Sequence, residues 1–141
     1  MEVNGYIIES GCYLGNAVLP FADLSNADLS HAYLTGANLY RANLAGVDLT
    51  EAEVHDVDLT EANLAHADLV DANLSFANLT GVNLSGADLS GANLQNAKLT
   101  GANLQNANLT GANLQNANLT GANLTDADFS DAVMPDGTVS N

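Results

Sequence analysis

Residues 91–120 read GANLQNAKLT, GANLQNANLT, GANLQNANLT, so one decapeptide recurs three times with a single change at Lys98. Inside each decapeptide is a shorter unit of five residues, Ala-Asn-Leu-x-x. Followed toward the N-terminus, the unit reaches Cys12-Tyr13-Leu14. Followed the other way, it ends at Ala132-Val133-Met134. The 25 units run without an insertion or deletion, so whatever fold they adopt must also repeat every five residues.

A period of five suits neither regular element. In a helix five residues advance the chain by about 500°, so successive leucines would land about 140° apart and no apolar face would form. In a strand the side chains alternate with period two, and five is odd. The unit therefore needs a bend of its own. A bent unit this short cannot bury a face alone, so the units must stack into a solenoid. The 141 residues suit one such domain.

Two positions of the unit stay apolar. The central one is Leu in 22 of 25 units, with Val54, Phe129 and Met134 as exceptions. The position two earlier is Ala in 21 of 25, with Cys12, Val47, Val57 and Val82 as exceptions. Both are expected to point inward, a large and a small residue alternating around a narrow core. The other three positions are mostly polar and face out.

The pattern Ala-(Asp/Asn)-Leu-x-x over residues 12–136 resembles the pentapeptide repeat family. The resemblance implies an all-β fold: a right-handed, quadrilateral parallel β-helix with one pentapeptide per side, 20 residues per coil and about six coils. At about 4.8 Å per coil the rod would be roughly 30 Å long. Residues 1–11 precede the repeats and are expected to form an N-terminal cap, with Tyr6, Ile7 and Ile8 covering the open first coil. Residues 137–141 form a C-terminal tail. Pro135-Asp136-Gly137 reads as a turn that stops the repeat, Phe129 and Met134 as larger residues closing the last coil, and Thr138–Asn141 as frayed.

The corners divide the chain. Every corner residue from Gly81 to Gly121 is Gly or Asn, which tolerate the positive φ of a type II turn. Phe21, His31, Arg41, Glu51, Glu61, His66 and Phe76 do not favour it, and type I-like turns are expected there.

Composition limits function. The formal net charge is −15, with Arg41 and Lys98 the only Lys or Arg. Direct binding to nucleic acid or to an anionic membrane surface lacks the basic footprint it needs. The single Cys12 permits no internal disulfide and reads as a small core residue. No signal peptide or membrane-spanning run is evident, so a cytoplasmic location is the default. His31, Glu51 and Asp71 share one corner column, and His55 lies near Glu51, Glu53 and Asp56. Neither spacing matches a metal-ligand motif. A filled narrow rod offers a nucleophile no evident pocket, so no catalytic residue, cofactor or metal is assigned and an enzyme is not expected.

At period 20 the surface forms columns. One reads Asp28, Asp48, Asp68, Asp88, Asn108, Asp128, which makes a candidate acidic interaction face. Its structural explanation is that Asp and Asn are interchangeable when either bonds nearby backbone. Asp23, Asn43, Asn63, Asn83, Asn103 and Asn123 form a second column, read as a structural Asn ladder. Thr60, Thr80, Thr100 and Thr120 form a third. It resembles the Thr ranks of ice-binding solenoids, although solvated strand threonines are the simpler reading. Tyr13 and Tyr33 stack one coil apart, near Val18 and Phe21. These four form a candidate apolar patch for a partner protein or for a second copy packed end to end.

The function expected is a non-enzymatic scaffold that binds an unidentified protein partner. The alternative is a DNA mimic. Some pentapeptide repeat proteins resemble B-DNA in width and charge, bind DNA gyrase, and inhibit it or protect it from quinolones. Fifteen charges along a 30 Å rod is about one per 2 Å, against about one per 1.7 Å in duplex DNA. Those proteins are typically dimers joined through a segment after the repeats, and only residues 137–141 follow them here.

Overall fold

The computed structural model describes residues 1–141. From Tyr13 to Val133, single residues pair in parallel with residues 20 positions later, as in Tyr13↔Tyr33↔Glu53↔Asn73. Four such columns run along the molecule, starting at Tyr13, Val18, Asp23 and Asp28. A coil is therefore 20 residues and four sides, and the chain winds as a parallel β-helix. Each side is three residues long, with the small residue inward, the middle one outward and Leu inward. All 44 buried residues are apolar, and they form one continuous cluster from Ile8 to Ala132.

The five-residue period follows from how each unit satisfies its backbone. In the unit Ala37–Arg41, Ala37 N–H closes a turn to Leu34 C=O at 2.9 Å. Asn38 N–H donates to Ala17 of the preceding coil at 2.8 Å, and Leu39 N–H to Asp58 of the following coil at 2.8 Å. Arg41 N–H reaches Thr60, also in the following coil, at 3.0 Å. The remaining donor, Tyr40 N–H, has no carbonyl to meet. It donates to the side-chain Oδ1 of Asn38 at 3.0 Å. Five donors thus find five acceptors, one of them a side chain. This is why the middle position calls for Asp or Asn.

The corners correct one expectation. Each corner residue from Gly11 to Asp131 has positive φ, including Phe21 (60°), His31 (58°), Arg41 (54°), Glu51 (55°), Glu61 (57°), His66 (58°) and Phe76 (60°). Type I-like turns do not occur at those seven positions. The residue before each corner is not left-handed, so these are type II turns. The stacking on either side requires one corner geometry. A left-handed non-glycine residue costs about 1–2 kcal/mol, less than the inter-coil bonds and leucine burial that a different turn would misalign.

The two ends differ. Strands β1 (Glu2–Val3) and β2 (Tyr6–Ile7) form a hairpin across an Asn4-Gly5 turn with both φ positive. Ile8 is 3% exposed and plugs the first coil, and the Tyr6 hydroxyl accepts the Val18 N–H at 3.2 Å. Ile7 does not share this task; it is 60% exposed. At the other end, residues 138–140 are not frayed. The chain turns at Gly137, Val139 pairs antiparallel with Val133, and Ser140 bonds Ala132 and Asp131. That return covers one side only. Phe129 and Met134 are partly buried, but Leu124 is 36% exposed, and the N–H groups of Leu119, Leu124 and Phe129 have no acceptor.

Candidate interaction surfaces

The Asp/Asn rule explains the acidic column. Oδ1 of Asp28, Asp48, Asp68, Asp88 and Asp128 accepts the N–H two residues on, as Asn does in the other columns. The Asp28 and Asp128 carboxyls also accept the hydroxyls of Ser30 and Ser130, and these bonds hold both below the usual aspartate range. Successive carboxylates are direct bridge partners from Asp28 to Asp88, so one side of the rod presents a line of negative charge.

The neighbouring column forms the expected ladder. Asn43, Asn63, Asn83 and Asn103 each donate Nδ2–H to the Oδ1 one coil back, at 3.2–3.5 Å. In the Thr column, Thr60, Thr80 and Thr120 spend their hydroxyl donors on Asp58, Asn78 and Asn118. The simpler reading of that column therefore has a specific cause in the Asx turns.

The middle position departs from Asp or Asn at Tyr13, Val18, Tyr33, Glu53, Lys98 and Val133. Both valines are followed two residues later by the only prolines of the chain, Pro20 and Pro135. Proline has no N–H, so where the acceptor is missing the donor is missing too. Tyr13, Tyr33, Glu53 and Lys98 have no such compensation. The N–H groups of Gly15, Thr35, His55 and Thr100 donate to no protein acceptor. Three consecutive coils on one side thus forgo a backbone bond. The departures are visible in the sequence, but their meaning required the hydrogen-bond pattern.

These departures gather aromatic surface. Tyr13 and Tyr33 are 78% and 51% exposed, with ring centroids 6.4 Å apart. Gly15 leaves room for the Tyr13 ring, since a Cβ there would lie 2.8 Å from its hydroxyl oxygen. On the adjoining side Val18 is exposed, and at the next corner Phe21 meets Tyr40 edge-on at 5.6 Å. The Arg41 guanidinium lies 5.3 Å from the Tyr40 ring centroid and pairs with Glu61. The predicted patch of Tyr13, Val18, Phe21 and Tyr33 thus lies exposed on adjoining sides of the first two coils, with Tyr40 added. Phe76 is exposed on a different corner.

Two of the three histidines lie beside carboxylates. His31 lies 3.6 Å from Glu51, and His55 meets Asp56 at 3.1 Å and Thr35 at 3.0 Å. No three His, Cys, Asp or Glu side chains converge as a metal site would require. Cys12 is half-buried against the core. No helix is long and apolar enough to cross a membrane.

A parallel β-helix with a Leu/Ala core and an Asp/Asn backbone acceptor in most units defines a pentapeptide solenoid. The pentapeptide repeats profile matches eight copies, across residues 10–46, 27–65, 58–96, 67–106 and 97–134. The chain belongs to the pentapeptide repeat family. Among solved structures it is similar to HetL, a pentapeptide repeat protein involved in heterocyst differentiation regulation from the cyanobacterium Nostoc sp. strain PCC 7120. Identity is 34% over 91% of this chain and 78% of that one, with a TM-score of 0.49. It is also similar to Rfr23 from the cyanobacterium Cyanothece 51142, at 31% identity over 93% and 89% of the two chains and a TM-score of 0.58. QnrB1, a plasmid-mediated fluoroquinolone resistance protein, shares the fold at 16% identity over 80% and 72% and a TM-score of 0.57. No curated protein matches the sequence.

Proposed function

We propose that the protein is a non-enzymatic, cytoplasmic scaffold whose right-handed rod of about six coils spans residues 12–136, between a cap at 1–11 and a tail at 137–141. Its partner is a protein that docks on Tyr13, Val18, Phe21 and Tyr33. One observation carries this reading. Tyr13 and Tyr33 give up the backbone acceptor that most other units keep, and place exposed aromatic surface there instead. Tyrosine and phenylalanine are enriched in interface cores. The test places a photo-crosslinking amino acid at position 33 and, on the same side farther along, at position 93. A partner captured at 33, not at 93, and lost in Tyr13→Ser/Phe21→Ser supports the reading. Equal capture at both positions overturns it.

A second reading, a DNA mimic that binds gyrase, is favoured by the carboxylate line at Asp28, Asp48, Asp68, Asp88 and Asp128 together with the net charge of −15. Asn keeps the Oδ1 acceptor, so changing these residues to Asn removes charge while preserving the turn bonds. Gyrase supercoiling inhibited by the native protein and restored with the Asn variant supports this reading. The absence of both inhibition and quinolone protection of gyrase at micromolar protein removes it. The open last coil, with Leu124 exposed and three leucine or phenylalanine amides unpaired, suits end-to-end pairing with a second copy. Sedimentation of the native protein against Leu124→Lys reads that contact directly.

A further inference from the structure

The cap at the N-terminal end is incomplete, and the gap has a defined chemistry. Within the rod, Asp48 N–H donates to Ala27 C=O and Asp48 C=O accepts from Leu29 N–H, at 3.0 and 2.8 Å. In the first coil the corresponding groups of Asp23 and Asp28 have no partner. Their N–H groups donate to nothing and their carbonyls accept nothing. The cap meets this end only in part: Tyr6 serves Val18, the Met1–Ile8 end of the hairpin faces Ala27 and Asp28 without bonding their main chain, and Gly11 N–H rejoins the stack at Ser30 C=O. Tyr13 N–H and C=O are likewise unpaired, so three sides of the first coil are open parallel strand edges, pointing away from the rod.

Beside the Asp28 edge lies an open groove of about 350 Å³. Buried Ile8 and Ala27 form its apolar floor, exposed Met1 lies beside them, and Ser10, Ser25, Asn26 and the carboxylates of Glu9 and Asp28 complete the lining. Ala27 is the least covered alanine of that coil, at 8% exposure against 2% for Ala17 and 5% for Ala22. The core is thus slightly unsealed at this point. No Lys or Arg precedes Arg41, which is engaged with Glu61 in the second coil, and the one cation at the groove, the Met1 ammonium, is spent on Ile8 C=O at 3.3 Å.

We propose that this groove binds an extended basic peptide segment as an added β-strand. The edge supplies a main-chain donor and acceptor at Asp28 in the spacing that the next coil would use. The floor takes a small aliphatic side chain against Ile8 and Ala27. Glu9 and Asp28 receive flanking lysine or arginine. Strand addition of this kind draws affinity from main-chain bonds and selectivity from alternate side chains. An unprotected edge is otherwise a liability, and here the adjoining carboxylates bias which chain can pair with it. The site is separate from the aromatic patch and does not depend on it.

The probe is a fluorescein-labelled, end-capped peptide Lys-Val-Leu-Val-Lys, with a Glu-Val-Leu-Val-Glu control, read by anisotropy on the full chain. The basic peptide should bind and the acidic one should not. Glu9→Gln/Asp28→Asn should weaken binding about tenfold, while Asp88→Asn, on the same side but distant from the groove, should leave it unchanged. Asn at position 28 keeps the acceptor for Ser30, so the double variant retains its turn. Hydrogen exchange on the native protein should show the Asp28 amide slowed by the peptide. Absence of binding, equal binding of the acidic peptide, an equal loss in Asp88→Asn, or an unprotected Asp28 amide would each overturn the proposal. Retained peptide binding in Tyr13→Ser/Phe21→Ser separates this site from the partner patch.

Discussion

The coils before residue 81 and those from Gly81 to Gly121 have the same backbone and opposite corner chemistry. In the later coils each corner is Gly or Asn, residues that accept positive φ at little cost. In the earlier coils Phe, His, Arg and Glu occupy the same conformation at φ 54–60°. The difference teaches that the corner residue does not choose the turn. Inter-coil hydrogen bonds and leucine burial choose it, and the corner residue complies or strains. The later coils are relaxed and nearly featureless. The earlier ones tolerate strain and hold most of the aromatic residues, the Arg41–Glu61 ion pair and both histidine–carboxylate contacts.

If the core decides, truncating it should cost the same in both regions. Leu34→Ala and Leu104→Ala, each fully buried, should each lose about 2–5 kcal/mol in urea unfolding. Leu124→Ala, at the open end and 36% exposed, should lose clearly less. A markedly smaller loss at Leu34 than at Leu104 would break the comparison, because the early coils would then owe their geometry to something other than the core.

Corner exchanges sharpen it at a smaller scale. Nothing lies within 4 Å of a Cβ built on Gly101, so Gly101→Ala isolates backbone strain. It should cost about 1 kcal/mol, the left-handed penalty less the entropy removed from the unfolded chain. Phe76→Gly should go the other way, gaining up to about 1 kcal/mol, since Phe76 is exposed at φ 60°. Thermal unfolding of both variants reads the two signs. Destabilisation by Phe76→Gly would show that the ring contributes packing that offsets its strain.

The same reasoning shows what the sequence made legible. The five-residue register and the inward Leu and Ala follow from spacing alone, and the Asn ladder from that spacing together with the 20-residue coil that the family resemblance implies. The turn type at Phe21 or Arg41 does not, because local propensity is overridden by contacts 20 residues away. The return of Val139 onto Val133 was hidden for a similar reason: residues 138–141 lack the repeat and gain order only from an edge that exists once the coils stack. The aromatic patch was legible as residues. Its distinguishing feature, the abandoned acceptor at Tyr13 and Tyr33, became readable only when the role of Asp or Asn in each unit was known.

That role also separates Asp from Asn. Both supply Oδ1, but only Asn donates along the rod, as Asn83 does to Asn63 at 3.2 Å. Asn83→Asp should therefore keep its turn and lose a ladder bond, costing about 0.5–1.5 kcal/mol. Asp68→Asn, in the charged column, should be neutral or slightly stabilising. Equal costs for the two changes would mean that the ladder adds nothing beyond the turn.

The smallest effect is in acid, and it should appear at both ends of the rod. Hydrogen bonds from serine or threonine hydroxyls and N–H groups hold Asp23, Asp28, Asp128 and Asp136 below the ordinary value of 3.8. Between the folded and unfolded values the unfolded chain binds more protons, so folding weakens as pH falls. The contribution of these four is complete above about pH 4 and disappears as pH drops through their folded values. All four carboxylates are solvent-exposed, so the loss should be slight and local. Two belong to the first coil and two lie at the last coil and the turn after it, so hydrogen exchange at pH 3 should rise first near both ends. Leu84 and Leu104 amides, in the relaxed middle, should keep their protection. Uniform acceleration along the rod would instead point to one cooperative unit whose ends are no weaker than its centre.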